Sequence, residues 1–254
     1  LDAVDRKQCV FLTLLDLSAA FDTINHKVLL HRFEHDMGIS GAALQWLRSY
    51  FSERHQFVHV SGASSTLHPF STGMPQGSVL GPFGFPTYQT PLSKIFKKHN
   101  MDYHLYADDT QIYIAFDPPD SDSALAKLEM CIDEVSRWMH TNFLKLNHSK
   151  TEFIVMGAKN SLKKLKDVSS LKVGDCNVAP SSVVRNIGAL FDANLSMVDH
   201  VSAISRSCYM HIRNIARVRQ YLTKPAAEKL VHSFVSSRID TTTRCYMGYQ
   251  NICS

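Results

Sequence analysis

Cys9-Val10-Phe11-Leu12-Thr13-Leu14-Leu15-Asp16-Leu17 is an apolar run of strand length with a carboxylate at its end. A run this apolar reads as a strand buried on both faces. Burying Asp16 there is costly unless a cation or hydrogen bonds receive it. A second pair of acids stands in an equally apolar setting. Residues 103–114, Tyr-His-Leu-Tyr-Ala-Asp-Asp-Thr-Gln-Ile-Tyr-Ile, read as a hairpin with Asp108 and Asp109 at its turn. Adjacent like charges repel unless a cation neutralises them or one keeps its proton. Oxygen ligands at a sheet edge suit Mg²⁺, which takes one or two protein carboxylates together with phosphate and water. Taken alone, the Asp pair reads equally well as an ordinary turn, where Asp is common.

Around these runs, helical patterns alternate with short strands. Residues 25–37 read as a helix with Val28, Leu29, Phe33 and Met37 facing inward and Gly38 as its stop. Ser40 is placed to cap a second helix that carries Leu44, Leu47, Tyr50 and Phe51. Residues 56–60 and 66–71 flank a Ser61-Gly62 turn as a hairpin. The Gly- and Pro-rich stretch 72–82 reads as a loop entering a helix at Pro82. Residues 121–139 form an amphipathic helix capped by Ser121 or Ser123, with Leu125, Leu128, Ile132, Val135 and Met139 at helical spacing. Short strands follow near 152–156, 171–178 and 183–191. Two helices close the chain. One, over 198–221, carries Val201, Ile204, Cys208, Ile212 and Ile215 on one face, and the other starts near Pro225.

Composition excludes several classes. The 254 residues are 44% hydrophobic with 11 Gly and 9 Pro, unlike a collagenous or disordered chain. No apolar run approaches the ~18 residues that mark a membrane-spanning helix. The chain opens at Leu1 without an initiator Met, and Asp2, Asp5, Arg6 and Lys7 interrupt any early apolar stretch. It therefore reads as an internal piece of a longer protein with no signal peptide. Six cysteines form no CxxC pair, which argues against a zinc site or disulfide framework and for an intracellular, reducing compartment. The net charge of +4 is uneven: from Asp199 onward eight Lys/Arg accompany three acids, against 19 basic and 20 acidic residues before it. A neutral body with a basic tail points to a polyanion partner or to a solvated helix face.

Read in order, Leu15-Asp16-Leu17-Ser18-Ala19-Ala20-Phe21-Asp22, Gly73-Met74-Pro75-Gln76-Gly77-Ser78-Val79-Leu80-Gly81-Pro82 and Tyr106-Ala107-Asp108-Asp109 closely resemble the reverse transcriptase of non-LTR (LINE-type) retrotransposons. Asn142-Phe143-Leu144-Lys145-Leu146-Asn147 with Lys150-Thr151-Glu152, and Asn186-Ile187-Gly188-Ala189-Leu190-Phe191-Asp192, are similar to its later palm motifs. Leu195-Ser196-Met197 leading to His200-Val201, and Leu230-Val231-His232-Ser233-Phe234-Val235, are similar to its thumb. The resemblance covers nearly the whole chain. It implies an α+β right-hand polymerase, with an antiparallel palm sheet backed by helices and partial fingers over residues 1–195 and a helical thumb over 196–254. It implies RNA-directed DNA synthesis, with an RNA template, a DNA primer and a dNTP as partners and no membrane.

The resemblance also implies roles. Asp16, Asp108 and Asp109 would hold two Mg²⁺ ions, for which Mn²⁺ can substitute. Phe21 would be a steric gate against the ribose 2′-hydroxyl; its alternative is a core Phe. Gln76 and Gly77 would contact nucleotide and template, Gly allowing close backbone approach. Tyr106 would pack near the primer end. Lys150 would protonate the pyrophosphate leaving group, or be an exposed lysine at a strand edge. Arg206, Arg213 and Arg217 share one stripe of the first thumb helix and would contact phosphates without reading sequence.

Two departures stand out. Phe83-Gly84-Phe85-Pro86 interrupts what the family continues as an apolar helix; Gly costs ~1 kcal/mol and Pro ~3 kcal/mol inside one. Thr241-Thr242-Thr243-Arg244 diverges from the thumb pattern. With only 15 residues before Asp16, the N-terminal fingers are expected to be missing, and this stretch alone is expected to polymerise poorly or not at all although its metal site is intact. The alternative is therefore a decayed, inactive fragment that still binds nucleic acid.

Overall fold

The computed structural model describes residues 2–75, 77–165 and 168–240. A short helix, α1 (Asp2–Asp5), leads into β1 (Cys9–Leu15), and Asp16 separates β1 from β2 (Leu17–Ser18). Helices α2 (His26–His35) and α3 (Gly41–Phe51) follow. Then come four two-residue strands, β3 (His55–Gln56), β4 (His59–Val60), β5 (Ala63–Ser64) and β6 (His68–Pro69), the β4–β5 ladder nested inside β3–β6. Helices α4 (Gly81–Gln89) and α5 (Leu92–Lys98) precede the hairpin of β7 (Asp102–Tyr106) and β8 (Asp109–Phe116). Next are α6 (Ser121–Thr141), β9 (Lys145–Leu146), β10 (Glu152–Gly157) and α7 (Lys159–Leu162). Two hairpins follow, β11 (Leu171–Val173) with β12 (Cys176–Val178), and β13 (Val183–Asn186) with β14 (Ala189–Asp192). Helices α8 (Val198–Val218) and α9 (Lys224–Val231) are the last among the described residues, α9 running into a π-helical turn at His232–Ser236.

The organising sheet is antiparallel, in the order β10-β1-β8-β7. With helices between β1 and β7 and α6 between β8 and β10, the connectivity is a split βαβ unit, β-α-β-β-α-β. β1 is central and buried on both faces, as its composition requires. On one face Phe11 packs on Phe116 and Phe153, with ring centroids 4.1 and 5.5 Å apart. Leu128, Cys131, Ile132, Val135 and Met139 of α6 complete that core. On the other face Leu12, Ile154 and Met156 meet Val184 of the β13–β14 hairpin.

Side-chain caps start two of the helices, whereas Ser40 holds the cap position of α3 without a side-chain hydrogen bond. Asn25 caps α2 by accepting from the Lys27 and Val28 amides, and Thr223 caps α9 by accepting from the Ala226 amide. Several expected details differ. Met37 is exposed, because α2 has ended at His35. Neither Ser121 nor Ser123 caps α6: Asp120 holds the cap position and Ser121 is buried in the first turn. The stretches 171–178 and 183–191 are two hairpins, turning at Gly174 and at Ile187-Gly188. Helix α4 runs through both interruptions. Gly84 is buried against Met74, whose Cε lies 3.0 Å from where a Cβ would stand, while Pro86 sits on the exposed side. The Thr241–Arg244 divergence lies outside the described residues.

Helix α8 is docked through Asp192 and His200. The Asp192 carboxylate accepts from the Asn194, Ser196 and Met197 amides and the Ser196 hydroxyl, and the Leu190 amide donates to His200 Nδ1. Cys208 packs against the turn that follows α9, but Val201 and Ile212, expected on the same covered stripe, stay largely exposed.

Candidate active site

The strand register brings distant acids together. Leu15 pairs with Thr110, so Asp16 and Asp109 leave adjacent strands at the same end of the sheet. Tyr106 pairs with Asp109 across a two-residue turn, Ala107-Asp108. Ala107 adopts φ 53°, a left-handed conformation that costs an alanine roughly 1–2 kcal/mol. The Asp109 carboxyl lies above the ordinary carboxylate range: partial burial raises it, and the charges of Asp108 and Asp16 raise it further. Asp109 therefore feels the charges of both other carboxylates.

Asp16 is held from the other side by the segment that precedes β10. β9 pairs with β2, and the Asn147 amide donates to the Asp16 carbonyl at 2.8 Å. The following turn carries Lys150 back, so that its Nζ lies 3.7 Å from Asp16 Oδ2. That oxygen is buried and accepts no hydrogen bond. A cleft of about 180 Å³ opens beside these groups, lined by Asp16, Asp109 and Lys150 and also by Arg185, Asn186 and Ile187.

A loop strap adjoins the site. The Gly73 amide donates to the Ile24 carbonyl and the Met74 amide to the Phe21 carbonyl, both at 2.7 Å. His26 Nε2 donates to the Gly73 carbonyl, also at 2.7 Å. Glycine is obligatory here, since a Cβ at 73 would lie 2.9 Å from the Asp22 carbonyl oxygen. The strap fixes Phe21, whose ring stacks on Phe85 of α4 at 4.9 Å. Phe21 is thus half-buried, with one face anchored in the core.

The remaining expected residues fall as follows. Gly77 has φ 78° with open space around it, so its backbone conformation, and not close approach by protein atoms, demands glycine. Tyr106 is exposed beside the Asp turn. Arg206, Arg213 and Arg217 are exposed along α8. Gln76 lies outside the described residues. Asp16, Asp108, Asp109 and Lys150 are gathered; the three α8 arginines lie on a separate element.

Some positioning groups escaped the sequence reading. Gln111 and Asn186 join β8 to the β13–β14 hairpin by two amide hydrogen bonds. Arg32 donates to Asn142 Oδ1 at 2.7 Å and lies over the Tyr88 and Trp138 rings, while the Tyr88 hydroxyl donates to the Asn142 carbonyl. A glutamine inside an Ile/Tyr-rich strand was the available signal for the first of these.

The donor set fits a hard divalent cation: carboxylate oxygens only, two of them raising the third, and one buried oxygen that accepts no hydrogen bond and has only the Lys150 ammonium 3.7 Å away. Among the described residues no three acidic, His or Cys side chains enclose an ion by themselves. That is how Mg²⁺ is usually held, by few protein oxygens with water and substrate phosphate completing the shell.

A family model described as reverse transcriptase (RNA-dependent DNA polymerase) matches residues 2–235. The chain belongs to the reverse transcriptase family. Relatives of this reverse transcriptase chain include the probable RNA-directed DNA polymerase from transposon BS of Drosophila melanogaster, 25% identical over 221 residues, covering 85% of this chain and 24% of that protein. The RNA-directed DNA polymerase from mobile element jockey of the same fly is 23% identical over 216 residues, covering 82% of this chain and 22% of that protein. These relatives are of the non-LTR retrotransposon type that the motifs resemble. The chain spans about a quarter of their length. Among solved structures, a Candida tropicalis telomerase in complex with a telomeric RNA fragment superposes with TM-score 0.55 at 12% identity, over 98% of this chain and 41% of that one. An apo form truncated from its C-terminal domain gives 0.54 at 15%, over 77% and 37%. These neighbours have the right-hand polymerase fold, and this reverse transcriptase chain shares it.

Proposed function

We propose that this chain is the polymerising part of a mobile-element reverse transcriptase, extending a DNA primer 3′-hydroxyl on an RNA template. One observation carries the reading: the β1–β8 register that sets Asp16 beside Asp109, with Asp108 at the adjoining turn. Residues 1–195 serve as palm with part of the fingers, and residues 196–254 as thumb. Asp16, Asp108 and Asp109 would hold two Mg²⁺ ions, which when bound would activate the primer hydroxyl and neutralise the triphosphate.

The chain's own residues do the rest. The left-handed Ala107 holds Asp108 and Asp109 out at the hairpin tip. Lys150 offsets the charge of Asp16 in the resting site and donates a proton to the leaving pyrophosphate. Phe21, supported from behind by Phe85, leaves no room for a 2′-hydroxyl. Tyr106 packs near the primer end, and Gln76 and Gly77 contact the nucleotide and template. Arg206, Arg213 and Arg217 grip phosphates of the primer–template duplex.

The test is RNA-templated primer extension with this chain and with the full-length protein that contains it. Mg²⁺-dependent dNTP incorporation that falls at least about a hundredfold in Asp109→Asn is expected. Incorporation that survives Asp16→Asn and Asp109→Asn together would refute the assignment.

A further inference from the structure

We infer that the palm carries a second nucleic-acid contact, a lysine surface at the end of the sheet remote from the carboxylates. It takes the phosphate backbone of RNA lying outside the primer–template duplex, and in this it rests on the polymerase reading above.

The sheet register places the surface. At one end of β10-β1-β8 stand Lys150, Asp16 and Asp109. At the other, Cys9 pairs with both Phe116 and Gly157. The residues flanking that end are Lys7 before β1, Asp117 after β8, and α7 with Lys159 after β10. The two ends lie six residue steps apart along β1, about 20 Å at ~3.3 Å per residue.

Lys7, Lys159, Lys163 and Lys164 are all exposed there. No salt bridge engages any of them among the described residues. Lys7 and Lys164 line a common cavity with Arg6 and a single acid, Asp117. The cluster is also held in shape. Lys7 has a left-handed backbone, φ 63°, and its carbonyl accepts from the buried Ser161 hydroxyl of α7 at 2.8 Å. Two segments far apart in sequence are thereby fastened together, with Lys7 and Lys164 lining one cavity and Lys159 and Lys163 exposed on the same short helix or just after it. Lysines of this kind bind phosphates as point charges without reading bases. A polymerase that copies RNA always has such a polyanion at hand.

Binding is measured by fluorescence anisotropy over a range of salt, with two probes. One is an RNA/DNA hybrid of about six base pairs, no longer than the ~20 Å between the two ends at ~3.4 Å per pair. The other is the same hybrid with a long single-stranded RNA extension. Replacing Lys7, Lys159, Lys163 and Lys164 together by Gln is expected to weaken the extended probe about tenfold and to flatten its salt dependence by about three log units per log unit of salt. The short hybrid should be unaffected. Gln at Lys94, Lys97, Lys127 and Lys172, exposed on other surfaces, should change neither probe. Unchanged melting shows that the variants fold. Equal losses on both probes, or none on the extended one, would overturn the proposal. So would lysine-dependent binding of polyglutamate without binding of the extended RNA, which would assign the surface to an acidic protein. Primer extension reads the polymerase assignment separately: incorporation that survives Asp16→Asn and Asp109→Asn together, with lysine-dependent RNA binding intact, refutes that assignment and leaves the surface standing.

Discussion

Gln111 and Asn186 exchange both of their side-chain amide hydrogen bonds, Gln111 Nε2 to Asn186 Oδ1 at 2.6 Å and Asn186 Nδ2 to Gln111 Oε1 at 3.0 Å. The pair fastens the β13–β14 hairpin to β8 two residues from Asp109. Gln111→Ala should cost about 1–3 kcal/mol in urea unfolding, because an amide partner is left unsatisfied. The double variant with Asn186→Ala should cost less than the two single losses added together, and additive losses would show that the pair is not coupled.

Asp109 gives a pH signature. Its carboxyl is raised by partial burial and by Asp108 and Asp16. Ionisation therefore costs the folded state more than the unfolded one at neutral pH. Asp109→Asn should raise Tm at pH 7 in the absence of divalent metal. The gain should shrink as pH falls through the raised folded value and vanish below the unfolded value of about 3.9. Added Mg²⁺ should raise the Tm of the wild type more than that of the variant.

Phe21 should decide sugar choice. Its ring is stacked on Phe85 and cannot retreat into the core. Phe21→Ala should raise the efficiency of ribonucleotide incorporation relative to deoxynucleotide by at least about tenfold, seen in competing extension reactions. An unchanged ratio accompanied only by lower stability would mark Phe21 as a core residue.

Asp192 should hold the joint between palm and α8. Burial alone would raise its carboxyl, but hydrogen bonds from Ser196, Asn194 and Met197 outweigh burial and leave it below the ordinary range. Its contribution to stability is present at neutral pH and is lost as pH falls from the unfolded value through the depressed folded one. Asp192→Ala should therefore cost at least about 2 kcal/mol at pH 7, and the cost should shrink as pH falls below the unfolded value of about 3.9.

The α8 arginines should act on duplex affinity. Replacing Arg206, Arg213 and Arg217 by Ala should weaken the short hybrid and reduce its salt slope by about three. The distal lysines should leave that probe alone, so the two surfaces separate in one experiment.

The central strand was readable because both its faces are apolar, and the three acids because a charge in such surroundings needs an explanation. Helix α6 was readable from spacing alone. What the pattern hid depends on tertiary geometry. Thr13 and Gln111 are buried polar residues whose places are set by strand pairing. The Gly84-Phe85-Pro86 run read as damage, since helix propensity ignores what faces the glycine. Met37 and Ile212 show the converse: helical spacing marks a face, but only packing says whether anything covers it.

Gly84 and Met74 fill one volume between them, the methionine methyl standing 3.0 Å from the missing Cβ. A side chain at 84 requires the Met74 end to give way, and a shorter residue at 74 opens the space for it. Sibling sequences with a bulkier residue at 84 should therefore carry a shorter one at 74, so that the two sites are inherited as a unit.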